Sequence, residues 1–322
     1  MNILVTGATG YIGGAAAQAL RRAGYAVSGL ARSETAAAKL RQAGLAPVMG
    51  DFADATSLAS AVRQAQVIVS TASTGSLGGD ADTFRRDRDA VRVMLAALEG
   101  SGKTLLFTSG SAVVGTFAAG EASTVVHGED VQLPLPEQVF APAAAEVHPM
   151  VVAGFGAAMA ARIETERDVI GAAGIRGIVM RPGLVYGHGG SYDLPKLIEQ
   201  ARKQGVSPHL GAGGTLQGYV HIDDLADLFQ LAVTRARKGA VLHGVVDEVS
   251  QRDLAAAISR MIGAGDRTAS LTLPEMFGLL GPVGISLSVN KRLSADKTKR
   301  LTGWSPTRTD ILHDLEFGSY AA

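Results

Sequence analysis

Short runs of consecutive apolar residues alternate with alanine-rich stretches of helical period through the first half of the chain. Asn2–Thr6, Ala26–Leu30, Ala46–Met49, Val67–Ser70, Lys103–Thr108 and Arg176–Met180 read as strands. Gly13–Ala23, Glu34–Ala43, Thr56–Gln64, Arg86–Leu98 and Ala157–Ala173 read as the helices between them. A strand with no polar alternation must be covered on both faces, and a helix after each strand predicts parallel connections. The expected fold class is therefore α/β, a doubly wound parallel sheet.

Two regions break this pattern. Residues 116–150 are rich in alanine and proline and show no clear period, which suggests a lid insertion. Beyond Arg181 the elements become irregular, with helices expected at Leu194–Gln204, Asp223–Arg237 and Gln251–Ile262. That region reads as a smaller C-terminal lobe.

Composition narrows the function classes. Of 322 residues, 47% are hydrophobic and 19% charged, as in a folded globular protein. Thirty basic residues balance thirty acidic ones, so the broad positive field that sequence-independent nucleic-acid binding needs is absent. Cysteine is also absent, which excludes disulfides, thiolate nucleophiles and zinc–cysteine sites, and no metal site is assigned. The chain opens on Met1-Asn2-Ile3-Leu4 without a basic lead, and no apolar run reaches the ~18 residues of a membrane span. A cytoplasmic protein without membrane partners is expected, as a monomer or homodimer.

The most specific motif is Thr6-Gly7-Ala8-Thr9-Gly10-Tyr11-Ile12-Gly13, between the first strand and the first helix. Gly7 allows the tight turn, Gly10 lets backbone approach a pyrophosphate, and Gly13 lets helix and strand pack closely. The helix N-terminus supplies free N–H groups and a positive dipole end. This is the phosphate turn of a Rossmann dinucleotide site, with Gly7, Thr9, Gly10, Tyr11 and Ile12 as its cofactor residues. After the second strand, where NAD-preferring sites carry a carboxylate, the chain reads Ala31-Arg32-Ser33. A guanidinium there suits a 2′-phosphate, so NADP(H) is expected over NAD(H), held by Arg32 and Ser33. Asp51 and Phe52 are placed for the adenine, and Thr71, Ala72, Ser73 and Pro182 for the ribose and nicotinamide. The expected NADP(H)-binding domain spans 1–182, completed by 219–248; 183–218 and 249–322 form the substrate-binding lobe.

Three further segments add to the glycine turn: Arg181-Pro182-Gly183-Leu184-Val185-Tyr186-Gly187, Val220-His221-Ile222-Asp223-Asp224-Leu225-Ala226, and Leu301-Thr302-Gly303-Trp304-Ser305-Pro306. Together they resemble the extended short-chain dehydrogenase/reductase family over nearly the whole length. The resemblance implies chemistry by a Ser/Thr after the fifth strand and a Tyr-x-x-x-Lys pair on the next helix. This chain departs at all three places. The serine position falls on Gly110, with Ser111 beside it. The helix gives Phe155 and Met159, or Ala158 and Arg162 if the register is anchored on Glu166. Neither register supplies a phenol. Tyr192-Asp193-Leu194-Pro195-Lys196 matches the string, but it lies in the C-terminal lobe and Pro195 argues against one helix through it.

Loss of the phenol resembles the atypical ketoreductases of aromatic polyketide biosynthesis, the angucyclinone ketoreductases of simocyclinone-type pathways among them. That resemblance implies reduction of a bulky apolar ketone, with the proton coming from Ser109, Ser111 or Thr71, from His148, His188 or His221, or from water or a substrate hydroxyl. Ser111, His148, Phe155, Tyr186 and His221 are the expected substrate contacts, Ser111 being the candidate catalytic group. Two other readings stay open: a catalytically silent NADP(H)-binding sensor, and a nucleotide-sugar epimerase or dehydratase.

Overall fold

The computed structural model describes residues 1–73, 81–133 and 135–321. The first half runs β1 (Asn2–Thr6), α1 (Tyr11–Arg22), β2 (Ala26–Ala31), α2 (Glu34–Gln42), β3 (Ala46–Met49), α3 (Ala55–Arg63), β4 (Val67–Ser70), α4 (Ala81–Leu98) and β5 (Thr104–Thr108). Then come β6 (Thr116–Phe117), α5 (Pro136–Phe140), α6 (Pro149–Gly171), β7 (Arg176–Pro182), β8 (Leu184–Gly187), β9 (Gly190–Ser191), α7 (Leu194–Gln204), β10 (Ser207–Leu210), β11 (Leu216–His221), α8 (Ile222–Arg235) and β12 (Val241–Gly244). The chain ends with β13 (Asp247–Ser250), α9 (Gln251–Met261), β14 (Thr268–Leu271), α10 (Leu273–Leu280), α11 (Pro282–Leu287), β15 (Val289–Asn290), α12 (Asp296–Thr302) and α13 (Ile311–Phe317).

Seven strands form one sheet in the order β12-β7-β5-β4-β1-β2-β3, and every pairing is parallel. This is the expected doubly wound α/β fold. The uninterrupted apolar runs have the expected cause. Leu4, Ile68, Leu105 and Val179 face Leu58, Met94 and Leu98 on one side, while Ile3, Val5, Val69 and Ile178 face Leu20, Leu225 and Phe229 on the other. Each such side chain contributes about 1.5–3 kcal/mol by leaving water.

The C-terminal lobe holds a four-stranded sheet, β13-β11-β8-β9, and two strand pairs, β10–β14 and β15–β6. β12 is the edge strand of the seven-stranded sheet, and α8 packs on α1. Residues 219–221, however, lie in β11 and so in the second sheet. Two of the motif segments meet here: the Trp304 indole donates to the Asp224 carbonyl at 2.8 Å, and the buried Asp224 carboxylate accepts from the Thr307 and Arg308 N–H groups.

The described residues between 116 and 150 pack on the C-terminal lobe through β6 and the loop that follows it. β6 pairs with β15, His127 N–H donates to the Arg292 carbonyl at 2.8 Å, and Glu129 accepts from Thr298 N–H at 2.6 Å. The helix expected at Ala157 starts at Pro149, because proline fits the first helical position, where no N–H is needed.

Candidate active site

The glycine turn is built for a phosphate. Gly7 has φ +75°, and a Cβ there would lie 2.9 Å from Ala72 N. A Cβ on Gly13 would lie 2.3 Å from the Gly7 carbonyl oxygen, so helix and strand pack too closely for any side chain. Gly10 starts α1 with no side-chain cap and no acidic residue in the first turn. Thr9 and Gly10 are exposed, so the uncapped N–H groups and positive helix end are open to an anion. A dinucleotide pyrophosphate fits this cradle.

Other expected cofactor residues are placed as follows. Arg32 is exposed at the end of β2, without an ion-pair partner among the described residues. Ser33 accepts from Ala36 N–H at 3.2 Å and so caps α2. One Asp51 oxygen accepts from Ala53 N–H within its own loop, while Asp54 caps α3. The Thr71 hydroxyl donates to the Thr6 carbonyl at 2.7 Å, tying the end of β4 to β1.

Beside the turn, two connected chambers open at the C-terminal ends of the strands. The inner one, about 140 Å³, is walled by Phe52, Thr71, Ala72, Asp87 and Thr108 among others. The outer one, about 280 Å³, is walled by Tyr11, Ser111, Met159, Pro182, Tyr192 and Lys291 among others. Both include Ile12, Ser73, Phe84, Ser109 and Arg162. Six of the residues expected to bind cofactor, Ile12, Phe52, Thr71, Ala72, Ser73 and Pro182, therefore border one joined space.

Arg162 stands where the chambers join. Its guanidinium donates to the Ser109 carbonyl at 3.0 Å and lies 5.0 Å over the Phe84 ring. Burial depresses its pKa, opposed by Asp87 and Glu166. Glu166, one turn further along α6, is locked to Arg181 of β7 through contacts of 2.6, 3.1 and 3.1 Å, both side chains being buried. That pair sets how α6 lies against β7. In the register anchored on Glu166, Arg162 walls both chambers, while Ala158 is buried and walls neither.

In the Phe155/Met159 register, too, one position faces the chambers and the other does not. Met159 does wall the outer chamber, but Phe155 points into the lobe core with its ring 4.8 Å from Phe140. His148 is exposed and caps α6, its Nδ1 accepting from Met150 N–H. Tyr186 is buried, donates to the Arg308 carbonyl and stacks edge-on against His221 at 5.2 Å. His221 caps α8 through Asp223 N–H. These four side chains hold the lobe together and do not wall the chambers. His188 pairs with Asp223 at 3.1 Å; with His221 these form a cluster whose ligand-type atoms lie within 4.8 Å of one another. The described part of residues 116–150 contributes none of the chamber walls.

Ser111 is buried, begins a single 3-10 turn after β5 and walls the outer chamber as expected. Three polar residues of the outer wall stand outside the expected site. Tyr192 is one; α7 begins at Leu194 after it with Pro195 in the first turn, yet Tyr192 still borders the chamber, and burial pushes its pKa up to about 12. The others are Lys291 and Ser286. Lys291 Nζ donates to Ser286 Oγ at 2.8 Å, and its side chain is 2% exposed. Burial pulls the ammonium down to about 8, against the attraction of Asp193. In sequence, Lys291-Arg292 is an ordinary basic pair, and nothing local marks one member as buried.

The sequence profile of the NAD dependent epimerase/dehydratase family matches residues 3–245. The chain belongs to that family. An uncharacterized protein of Schizosaccharomyces pombe is 30% identical over 99% of this chain and 100% of its own length. A 4-hydroxy-2-methyl-3-oxo-4-farnesyl-3,4-dihydroquinoline-1-oxide ketoreductase of Stigmatella aurantiaca is 27% identical over 75% of this chain and 67% of its own. Among solved structures, the dTDP-glucose 4,6-dehydratase DesIV of Streptomyces venezuelae, with NAD and DAU bound, superposes with TM-score 0.72 at 20% identity, covering 100% of this chain and 96% of its own. Phe155 and Met159, or Ala158 and Arg162 in the second register, stand where the resemblance described above expects tyrosine and lysine, and neither register holds a phenol. Among the described residues, no helix is long and apolar enough to cross a membrane.

Proposed function

We propose that this chain is an NADPH-dependent ketoreductase acting on a bulky, largely apolar ketone without a helix-borne tyrosine. The observation that carries this reading is the pair of joined chambers. Ile12 of the phosphate turn borders both, and the outer one has an apolar wall of Met159, Leu184, Val185, Ala112 and Phe84 beside the polar groups of Arg162, Tyr192, Lys291 and several serines. Sites of that make-up take apolar ligands and orient them by a few polar contacts. The ketoreductase name of the Stigmatella relative supports the same reaction class.

The bound dinucleotide supplies hydride chemistry; the chain's own residues bind and orient. Gly7, Gly10 and the α1 N-terminus would hold the pyrophosphate. Arg162 would hold the ribose that the family's lysine usually holds, and Arg32 the 2′-phosphate that distinguishes NADPH. The nucleotide-sugar reading draws on the fold neighbours, but neither Phe155 nor Ala158 gives its usual proton relay a phenol. The sensor reading has no use for a second chamber lined by a buried lysine.

The test is NADPH and NADH oxidation with a panel of ketones that includes polycyclic aromatic ones of angucyclinone type. Turnover of apolar ketones with NADPH favoured at least tenfold is expected. Tight NADPH binding without turnover of any ketone would support the sensor reading instead. Arg32→Ala should weaken NADPH binding roughly 10- to 100-fold and leave NADH nearly unchanged, as for loss of a charge-assisted contact of about 1.5–3 kcal/mol.

A further inference from the structure

Hydride delivery to a carbonyl carbon leaves an alkoxide, which needs a proton and a neighbouring positive charge. The helix position that normally answers this need is Phe155 or Ala158, neither of them a phenol, and the three histidines considered from sequence are engaged elsewhere. The outer chamber nevertheless holds a cation that the cofactor reading does not use. Lys291 follows β15, and its N–H donates to the Leu216 carbonyl at 2.9 Å. The backbone is thus held by neighbouring strands while the side chain reaches the chamber that Ser109, Ser111 and Arg162 also wall.

Resting on the ketoreductase reading, we propose that Lys291 is the catalytic proton donor of this site, with Ser286 positioning its ammonium. With reduced nicotinamide as the reductant, the carbonyl carbon gains the hydride and the carbonyl π pair moves onto oxygen. One Nζ–H bond of Lys291 breaks as the O–H bond of the alcohol forms. Lys291 is left as a neutral amine and is reprotonated from solvent. Burying a lysine whose partner among the described residues is one hydroxyl, with no carboxylate of theirs within salt-bridge distance, is costly, and donor pKa values near neutrality are those that make efficient acids. The groups that act on it are few: Asp193 before α7 stabilises the ammonium, Ser286 of α11 accepts from it, and Arg162 and the phenol of Tyr192 share the chamber. Tyr192 is the poorer acid because burial raises it away from neutral pH.

The first measurement needs no turnover. Trace acetylation of the cofactor-free protein with acetic anhydride, read by peptide mass spectrometry across pH, should show Lys291 titrating about two units below the surface lysines. A midpoint shared with them overturns the proposal. The second uses a ketone that the wild type reduces. Its kcat/KM should fall above a single basic limb, and Ser286→Ala should move that limb down by about one pH unit, because the ammonium loses its acceptor. Lys291→Met should lower turnover 10²- to 10⁴-fold with NADPH binding unchanged by fluorescence. Lys291→Arg should be nearly as slow, since a guanidinium keeps the charge but does not give up its proton, whereas Tyr192→Phe should keep at least a third of the rate. Wild-type turnover in Lys291→Met overturns the proton-donor role and leaves the ketoreductase reading intact. Failure of the wild type to reduce any ketone, with Lys291 still titrating low, sinks that reading and the proposal with it.

Discussion

Replacing Glu166 by leucine strips Arg181 of the only carboxylate that pairs with it among the described residues and leaves a cation buried between α6 and β7. Three contacts of 2.6, 3.1 and 3.1 Å are lost at once, around side chains that are 1% and 3% exposed. Removing one member of a buried pair costs about 3–5 kcal/mol, most of it the penalty of the stranded charge. His243 does not offer relief: its Nε2 lies 3.4 Å from the guanidinium, and its Nδ1 is engaged with the Ser294 carbonyl at 2.9 Å. Urea denaturation followed by tryptophan fluorescence and circular dichroism would give the difference directly. Glu166→Leu/Arg181→Leu, which removes both charges, should recover most of the loss. Because Arg162 lies one turn from Glu166, the single variant should also bind NADPH more weakly than its folded fraction alone explains. A single-variant cost below about 1 kcal/mol would refute the reasoning, since the pair would not then be fixing the helix.

Gly13→Ala places a methyl 2.3 Å from a backbone carbonyl that cannot move without opening the phosphate turn, so NADPH affinity measured by fluorescence titration should fall at least tenfold. His243 is fully buried and its pKa is pulled down to about 3 by burial and by the Arg181 charge. Its unfolded-state value is ~6.5, so the unfolded chain binds a proton first as pH falls, and stability should drop by about 1.4 kcal/mol per unit from pH 6.5 towards 3. Comparing urea midpoints of wild type and His243→Gln between pH 7 and 4 checks this, the variant being expected to show the shallower slope. Ser111→Ala, at a chamber wall but with the proton supplied elsewhere, should keep turnover within about tenfold of wild type in the NADPH oxidation assay.

Much of this molecule is local in origin and so was legible in the residues. Uninterrupted apolar strands report two covered faces, and the glycines at 7, 10 and 13 report a turn that tolerates no side chain, because each is a property of a few neighbouring positions. Asp54 at the start of α3 and Pro149 at the start of α6 are read by the same short-range rules of helix termini, although the composition of residues 141–157 hid where that second helix begins. The chemistry of the outer chamber is different in kind. Whether Phe155 or Arg162 faces the cavity depends on how α6 is rotated, and that is set by Glu166 meeting Arg181 on another element. His148, Tyr186 and His221 look reactive as letters but are consumed by caps and ring contacts that appear only once the chain is folded. Lys291 gives the reverse lesson. A lysine is ordinarily solvated, and only the packing of strands and helices brought together from residues 111, 162, 192 and 286 removes its water and aims it at the site. Periodicity and turn chemistry decided the scaffold; burial, which belongs to no single stretch of chain, decided which side chains face the reaction space.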